Sequence, residues 1–231
     1  MTKQRMEQVK DHFNSEATVF DKGILKSVPY YTQMLEVLTN MLPFKRSAKI
    51  DVLDVGSGTG NIALAVKLVF PNAKILCLDL APNMLNVAKE KLSAYKEIEY
   101  VQADVADYKF NRKFDAIVSS LTLHHLETDS DKHKFHLKAF KALKSPGMFV
   151  NADIIVAPEK EMQSKNIEKW KQFILKSSSE EFVKDRYKKY LAEDRPAVLL
   201  NEVNSLKKSG FKHVEVFWKY YNFAVYGGEK K

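Results

Sequence analysis

A glycine-rich turn after an apolar segment constrains this chain more than any other feature. Ile50 to Val55 has the pattern of a buried strand, and Gly56-Ser57-Gly58-Thr59-Gly60 follows it. Asn61 to Phe70 then has helical spacing of apolar residues. A strand, a turn of small residues and a helix N-terminus together let the backbone approach a nucleotide-like ligand. The turn therefore predicts a cofactor-binding α/β unit.

Predicted strands and helices alternate regularly between residues 50 and 155. The further strands are Lys74–Asp79, Ile98–Gln102, Phe114–Ser120 and Met148–Asp153, and helical patterns cover Pro82–Leu92 and Asp131–Leu143. The second of these helices is expected to end at Ser145-Pro146-Gly147. Such alternation is typical of βαβ units, so we predict an α/β fold with a doubly wound, mostly parallel sheet.

Three segments surround this core, and together they predict one domain over residues 1–231. Residues 1–45 form a predicted helical cap, which Pro29 divides into two helices. Residues 157–195 hold two charged amphipathic segments, which we expect to form a lid over the ligand. Residues 199–231 predict one helix and two strands, which must be antiparallel because their connection is so short. The sheet would then have seven strands.

Composition and charge limit the class of partner. The formal net charge is +8, but the lysines are spread along the chain beside acidic residues. A nucleic-acid partner is therefore an alternative that we do not favour. The start of the sequence has no apolar leader and no segment is long enough to span a bilayer, so we expect a cytoplasmic protein without a membrane partner. The single cysteine, Cys77, lies in an apolar segment and is expected in the core.

Two carboxylates at the ends of neighbouring strands indicate the type of ligand. Asp79 ends the second strand and Asp104 follows the third. The carboxyl ends of parallel strands meet at one crevice, so both should face the ligand of the glycine turn. A carboxylate at Asp79 suits a ribose diol, and one at Asp104 suits an exocyclic amine of a base. Asn61 occupies the place of the third glycine in a dehydrogenase fingerprint, which disfavours a dinucleotide.

Five ordered motifs resemble those of the class I S-adenosylmethionine-dependent methyltransferases. They are Asp54–Gly60, Asp79–Leu85, Gln102–Val105, Phe114–Ser120 and Leu143–Met148. The resemblance implies a Rossmann-like fold, S-adenosyl-L-methionine as cofactor and S-adenosyl-L-homocysteine as product. The cofactor-binding residues that it implies in the core are Asp54, Gly56, Ser57, Gly58, Gly60, Asp79, Leu80, Met84, Asp104 and Val105.

The flanks resemble the carboxy-S-adenosylmethionine synthase group of the same superfamily. The matching segments include Phe20-Asp21, Ser27 to Tyr31, the region near Trp170, and Gly210 to Glu215 with Tyr221-Asn222-Phe223. In that group the residues matching Tyr31 and Ser120 reach the cofactor, and an arginine matching Ser205 binds the extra carboxylate. Because serine offers no guanidinium, the resemblance implies a relative that uses ordinary S-adenosylmethionine.

His124 and His125, which follow the fourth strand, are the candidate catalytic residues. Methyl transfer from a sulfonium needs a general base only when the acceptor carries a proton that must leave. A structural role for both histidines is the alternative. No catalytic metal is expected, because a solvated loop and a helix start explain the nearby Asp129, Asp131 and His133.

The sequence thus predicts a methyltransferase that acts on a small-molecule acceptor by in-line methyl transfer. The first alternative is an enzyme related to tRNA modification, either a tRNA methyltransferase or a carboxy-S-adenosylmethionine synthase-like enzyme. The second is a non-catalytic domain that binds S-adenosylmethionine. The residues do not decide between a monomer and a homodimer.

Overall fold

The computed structural model describes residues 3–231 and is built around a seven-stranded sheet. The strands are β1 (Asp51–Val55), β2 (Lys74–Asp79), β3 (Ile98–Gln102), β4 (Phe114–Ser120), β5 (Leu143–Ile154), β6 (Lys212–Tyr220) and β7 (Phe223–Lys230). Their order is β3-β2-β1-β4-β5-β7-β6. Strands β1 to β5 pair in parallel, and β7 is antiparallel to both β5 and β6. The predicted doubly wound, mostly parallel sheet is confirmed.

Helices cover both faces of the sheet. They are α1 (Lys3–Glu16), α2 (Phe20–Ser27), α3 (Tyr31–Asn40), α4 (Asn61–Val69), α5 (Pro82–Lys91), α6 (Asp129–Ala142), α7 (Lys160–Leu175), α8 (Glu180–Glu193) and α9 (Leu199–Lys208). Successive strand residues such as Val52 and Leu53 belong to different apolar cores, since side chains alternate along a strand. One core includes α3 and α4, and the other includes α6 and α9. Within residues 3–231, no helix is both long and apolar enough to cross a membrane.

The N-terminal cap contains three helices, so the prediction of two was wrong. The additional break lies between Glu16 and Phe20, where the Val19 amide donates to the Glu16 carbonyl oxygen at 3.0 Å. Ala17 is buried in this break and packs with Met84 of α5. Neither proline nor glycine occurs at this break. The packing of Ala17 stabilises the turn instead.

Strand β5 is longer than the sequence predicted, and β7 extends through two consecutive glycines. Helix α6 ends at Ala142, and β5 already begins at Leu143, with a bulge in its pairing to β4. Strand β7 continues through Gly227, where a Cβ atom would lie 2.1 Å from the Phe149 carbonyl oxygen. The Ser145-Pro146-Gly147 segment and Gly227 resemble chain breaks in the sequence, yet both lie within paired strands.

The insertion, residues 157–195, packs against the cap. The indole Nε1 of Trp170 on α7 donates to the carbonyl oxygen of Ser27 at 2.6 Å. On α8, Arg186 and Lys189 form ion pairs with Glu16 at 3.0 and 2.7 Å. The insertion thus fastens α1 and α2, which are the elements that cover the ligand crevice.

We expect Trp170→Phe to lower the free energy of unfolding by about 1–2 kcal/mol, since it removes a buried hydrogen bond and leaves the Ser27 carbonyl unsatisfied. Urea denaturation followed by circular dichroism measures the change. Trp218→Phe, on partly exposed β6, is the matched control and should have a smaller effect. Equal effects of the two substitutions would show that Trp170 does not fasten the cap.

Candidate cofactor and acceptor site

A cavity of about 900 Å³, counting the part open to solvent, lies at the carboxyl ends of β1, β2 and β4. From the core it is lined by the glycine turn, residues 78–80, residues 103–105 and residues 120–122 with His125 and Leu126. From the cap it is lined by Met6, Val9 and Phe13 of α1, Phe20 of α2 and Tyr31 of α3. The described lining includes no residue of the insertion, which supports the cap from behind. The predicted role of residues 157–195 as a direct lid is therefore not what the structure shows.

The glycine turn has a backbone that favours glycine at three positions. Gly56, Gly58 and Gly60 have φ angles of 65°, 53° and 82°. A Cβ atom on Gly56 would lie 2.0 Å from Thr122 Oγ1, so the turn and the loop after β4 are in close contact. A Cβ atom on Gly58 would meet nothing within 4 Å. The backbone at Gly58 therefore faces open space, and a ligand can approach it closely.

Asp79 links the glycine turn to the end of β2. One carboxylate oxygen accepts from the Gly58 amide at 2.7 Å, and the other accepts from the Ala81 amide at 2.8 Å. Burial raises the pKa of Asp79 above its ordinary value, although these amide donors oppose the shift. Asp104 lines the same cavity, and its carboxylate accepts from the Ala106 amide at 2.8 Å. The two acids thus lie where the sequence predicted them.

The structure places most of the predicted cofactor-binding residues on the cavity wall. These are Tyr31, Gly56, Ser57, Gly58, Asp79, Leu80, Met84, Asp104, Val105 and Ser120. Asp54 and Gly60 are not part of this lining. The hydroxyl oxygens of Ser57 and Ser120 are buried and have no hydrogen-bond partner in the protein.

Asp54 lies beneath the turn. Its side chain is fully buried, and neither carboxylate oxygen has a hydrogen-bond partner. Burial, together with the neighbouring charge of Asp79, raises the pKa of Asp54 to about 8. At neutral pH this carboxyl is therefore protonated, and its role in the cavity is indirect.

Asp21 of α2 joins the cap to the glycine turn. Its carboxylate accepts from Thr59 Oγ1 at 2.6 Å and from Asn61 Nδ2 at 3.0 Å, and it forms an ion pair with Lys91 at 2.6 Å. Asn61 also donates to the Tyr31 hydroxyl at 3.4 Å. Sequence reasoning missed this role of Asp21. The only signal was its place in a flanking segment that resembles the carboxy-S-adenosylmethionine synthase group.

The two candidate catalytic histidines lie in different surroundings. His124 is not part of the cavity lining, and its ring nitrogens face Asp153 at 2.5 Å and Asp194 at 3.4 Å. Burial alone would lower the pKa of His124, but the two carboxylates outweigh it and raise the pKa to about 10. His124 is therefore a buried imidazolium that positions its neighbours.

His125 lines the cavity and is a neutral imidazole. Its Nδ1 lies 3.5 Å from both the Glu193 carbonyl oxygen and Asp194 Oδ1, whereas its buried Nε2 has no partner. Burial and the adjacent charge of His124 lower the pKa of His125 to about 4. Since both neighbours of Nδ1 are acceptors, Nδ1 carries the proton and Nε2 presents a lone pair.

His124, His125 and Asp194 form one group within residues 3–231 whose donor atoms lie close enough together to hold a metal ion, within 4.8 Å of one another. Asp194 Oδ1 lies 3.4 Å from His124 Nε2 and 3.5 Å from His125 Nδ1, and these contacts account for the approach. In the predicted loop, Thr128 caps α6 because its hydroxyl accepts from the Asp131 amide, and His133 contacts Ser205. The expectation that the chain uses no metal stays a prediction.

The apolar side of the cavity was not predicted residue by residue. Met6, Val9 and Phe13 lie on one face of α1, and this face covers the cavity. Their helical spacing is equally typical of core residues, so the sequence alone could not assign them to a site. Ser205 lies away from the cavity lining, where its hydroxyl contacts His136 at 2.8 Å.

The pKa of Asp54 predicts a dependence of stability on pH. The folded-state pKa of about 8 lies above the ordinary value of 3.8, so the folded chain keeps a proton that the unfolded chain releases. This group therefore lowers the free energy of unfolding progressively as the pH rises from 3.8 to about 8. Asp54→Asn should abolish this decrease in the free energy of unfolding with rising pH. Urea denaturation of both ligand-free proteins at several pH values measures it, and parallel pH profiles would contradict the assignment.

Comparison with known proteins agrees with this geometry. Residues 52–147 match the family model described as a methyltransferase domain. Over 230 residues the chain is 26% identical to the carboxy-S-adenosyl-L-methionine synthase of Campylobacter hominis, covering 96% of this chain and 97% of that one. The DhpI-SAM-HEP complex superimposes with a TM-score of 0.68 at 16% identity, covering 98% of both chains. Haemonchus contortus phosphoethanolamine N-methyltransferase 2, in complex with S-adenosyl-L-methionine, superimposes with a TM-score of 0.60 at 24% identity. The match covers 80% of this chain and 38% of that one.

The structural comparisons establish the fold, and the sequence matches extend from the core into the flanks. Residues 56–59 of the glycine turn, Asp79 and Asp104 line one cavity within the matched segment. Residues 52–147 therefore form a methyltransferase domain, the chain is an S-adenosylmethionine-dependent enzyme, and it resembles the carboxy-S-adenosylmethionine synthases along most of its length.

Proposed function

We propose that the enzyme transfers the methyl group of S-adenosylmethionine to a small-molecule acceptor by in-line displacement. The observation that carries this proposal is the cover that α1 and α2 place over the cofactor cavity. Met6, Val9, Phe13 and Phe20 line the cavity opposite the glycine turn. An enclosure of this size suits a small acceptor better than a polymer, because side chains from the cap occupy the space above the site.

The chain's own residues bind and orient the reactants. Bound S-adenosylmethionine supplies an electrophilic methyl group on a positively charged sulfur. Asp79 is placed to accept hydrogen bonds from a ribose diol, and Asp104 is placed to accept from a base. Ser57 and Ser120 line the same cavity. The apolar cap excludes water, and methyl transfer then depends mainly on alignment of the acceptor.

Of the two histidines, His125 is the candidate to touch an acceptor. His125 lines the cavity, whereas His124 does not and has both ring nitrogens engaged by carboxylates. We assign His124 to a positioning role, since it supports Asp194, which in turn faces the Nδ1 side of His125.

A second candidate is the synthesis of a carboxylated S-adenosylmethionine. The similarity to carboxy-S-adenosylmethionine synthases over 96% of the chain favours it. Against it, the described cavity lining contains neither arginine nor lysine. A buried carboxylate without a cationic partner is costly. A non-catalytic domain that binds the cofactor is the third candidate.

Label transfer distinguishes these candidates. The full chain is incubated with methyl-labelled S-adenosylmethionine and a fractionated metabolite extract, and products are identified by mass spectrometry. We expect a labelled small molecule and S-adenosylhomocysteine in equal amounts. A carboxylated nucleoside would support the second candidate. Cofactor binding without any turnover would support the third, and label in the RNA of an added total RNA fraction would favour a tRNA-related enzyme.

We expect Asp79→Asn to weaken the binding of S-adenosylhomocysteine by about tenfold or more, because hydrogen bonds to a charged acceptor contribute about 1.5–3 kcal/mol. Isothermal titration calorimetry measures the change. Asp115→Asn is a matched control, since Asp115 pairs with Lys144 and does not line the cavity. Unchanged affinity in Asp79→Asn would place the ribose elsewhere.

A further inference from the structure

The loop that follows β3 carries Asp104 to the cavity. Residues 103–113 of this loop contain neither a helix nor a strand, and residues 103–105 line the cavity. Helix α6 packs against the loop, since the rings of Phe110 and Phe135 meet edge to face with their centres 6.5 Å apart. A binding residue on a loop needs neighbouring elements to hold it in one place. The position of the Asp104 carboxylate therefore depends on contacts between the loop and α6.

Lys138 of α6 donates to two consecutive carbonyl oxygens of this loop. Its Nζ lies 2.9 Å from the Val105 oxygen and 3.3 Å from the Ala106 oxygen. The same ammonium lies 4.7 Å from the centre of the Phe110 ring, where a cation–π contact is favourable. Lys138 is not among the residues that line the cavity. Its side chain thus holds the loop from outside the site.

One peptide group joins Lys138 to Asp104. The Val105 carbonyl, which accepts from Lys138, and the Ala106 amide belong to the same peptide unit. That amide donates to Asp104 Oδ1 at 2.8 Å. Because a peptide unit is planar, an ammonium bound to its oxygen fixes the direction in which its N–H points. The bond at the oxygen also polarises the unit and strengthens the bond that the amide makes.

The ammonium and the Asp104 carboxylate also lie close enough to interact electrostatically. Burial lowers the pKa of Lys138, and the charges of Asp107 and Asp104 oppose this shift. A carboxylate has two oxygens, and the Ala106 amide occupies one oxygen of Asp104. The other oxygen can accept a hydrogen bond from a ligand, in a direction that the amide and Lys138 set.

We infer that Lys138 is a positioning residue that, through Asp104, sets the preference of the site for adenine over hypoxanthine. The inference rests on S-adenosylmethionine as the cofactor and on Asp104 as the acceptor for the exocyclic amine of its base. In place of this amine, hypoxanthine carries a carbonyl oxygen, which would face the carboxylate as a second acceptor. A site built to accept a hydrogen bond discriminates strongly against a ligand that lacks the donor. The strength of that discrimination depends on where Lys138 holds the loop.

Two ligands that differ only in the base test the inference on the full chain at neutral pH. They are S-adenosylhomocysteine, which has the amine, and S-inosylhomocysteine, which has the carbonyl oxygen. Isothermal titration calorimetry measures both dissociation constants. We expect the unaltered protein to bind S-adenosylhomocysteine at least about tenfold more tightly, as one hydrogen bond to a charged acceptor allows.

Lys138→Met keeps an unbranched side chain over Phe110 but removes the ammonium. We expect it to reduce the preference for S-adenosylhomocysteine by about fivefold or more, chiefly through weaker binding of that ligand. Lys138→Arg, which keeps a cationic donor, should retain the preference to within about twofold. Lys134→Met is the matched control and should leave the preference unchanged, because Lys134 lies on the same helix, pairs with Asp131 and does not line the cavity.

A second substitution separates positioning from a purely structural role. Asp104→Asn removes the charged acceptor and should itself abolish most of the preference. In that background, Lys138→Met should not change the preference further, because Lys138 acts through Asp104. A lysine that only stabilised the fold would weaken the binding of both ligands equally in either background.

An unchanged preference in Lys138→Met, equal losses of affinity for the two ligands, or loss of the preference in Lys138→Arg or Lys134→Met would overturn the inference. An unaltered protein without any preference would also overturn it, and that result needs no variant. Lys138→Gln, which is neutral and polar, replaces Lys138→Met if that variant does not fold, with the same expected loss. Failure of the unaltered protein to bind S-adenosylhomocysteine would instead refute the cofactor assignment and with it the proposed function.

Discussion

The hydrogen bond from the Gly58 amide to Asp79 sets the geometry on which the site depends. It ties the glycine turn after β1 to the end of β2 at 2.7 Å and leaves the open side of the turn facing the cavity. On the opposite side, Gly56 approaches Thr122 so closely that no side chain fits between them. The ends of three parallel strands are thus fixed against one another, which pre-organises the walls of the cofactor cavity.

The cap is bonded to the glycine turn through Asp21. Asp21 reaches down from α2 to Thr59, Asn61 and Lys91, so the cover of the cavity is bonded to the element that holds the cofactor. From behind, Trp170 and the cations of α8 hold α1 and α2 in place. The insertion therefore contributes to the site without lining it. Its charged surface, which suggested a lid, pairs with acids such as Glu16 on the cap.

The core of the fold could be predicted because its signals are local. Strands β1, β2 and β4 are short, mainly apolar segments, and turn-forming or acidic residues at the strand ends meet in space because parallel strands end at one edge. Asp79 and Asp104 could therefore be assigned to the cavity from sequence alone.

Other features depend on contacts between distant segments. The break after Glu16 is stabilised by packing of Ala17 on α5, and Gly227 belongs to β7 because it approaches the Phe149 carbonyl oxygen. His124 and His125 are adjacent in sequence, yet Asp153 and Asp194 give one ring a charge and leave the other neutral. Neither carboxylate is close to them in sequence, so the difference between the two rings could not be predicted.

We propose that the glycine turn, Asp79 and Asp104 form a site for S-adenosylmethionine and not for a dinucleotide. Equilibrium binding of S-adenosylmethionine and of NAD to the full chain, measured by isothermal titration calorimetry, tests this claim most directly. We expect one S-adenosylmethionine bound per chain and no heat of binding for NAD. Binding of NAD, or no binding of S-adenosylmethionine, would contradict it.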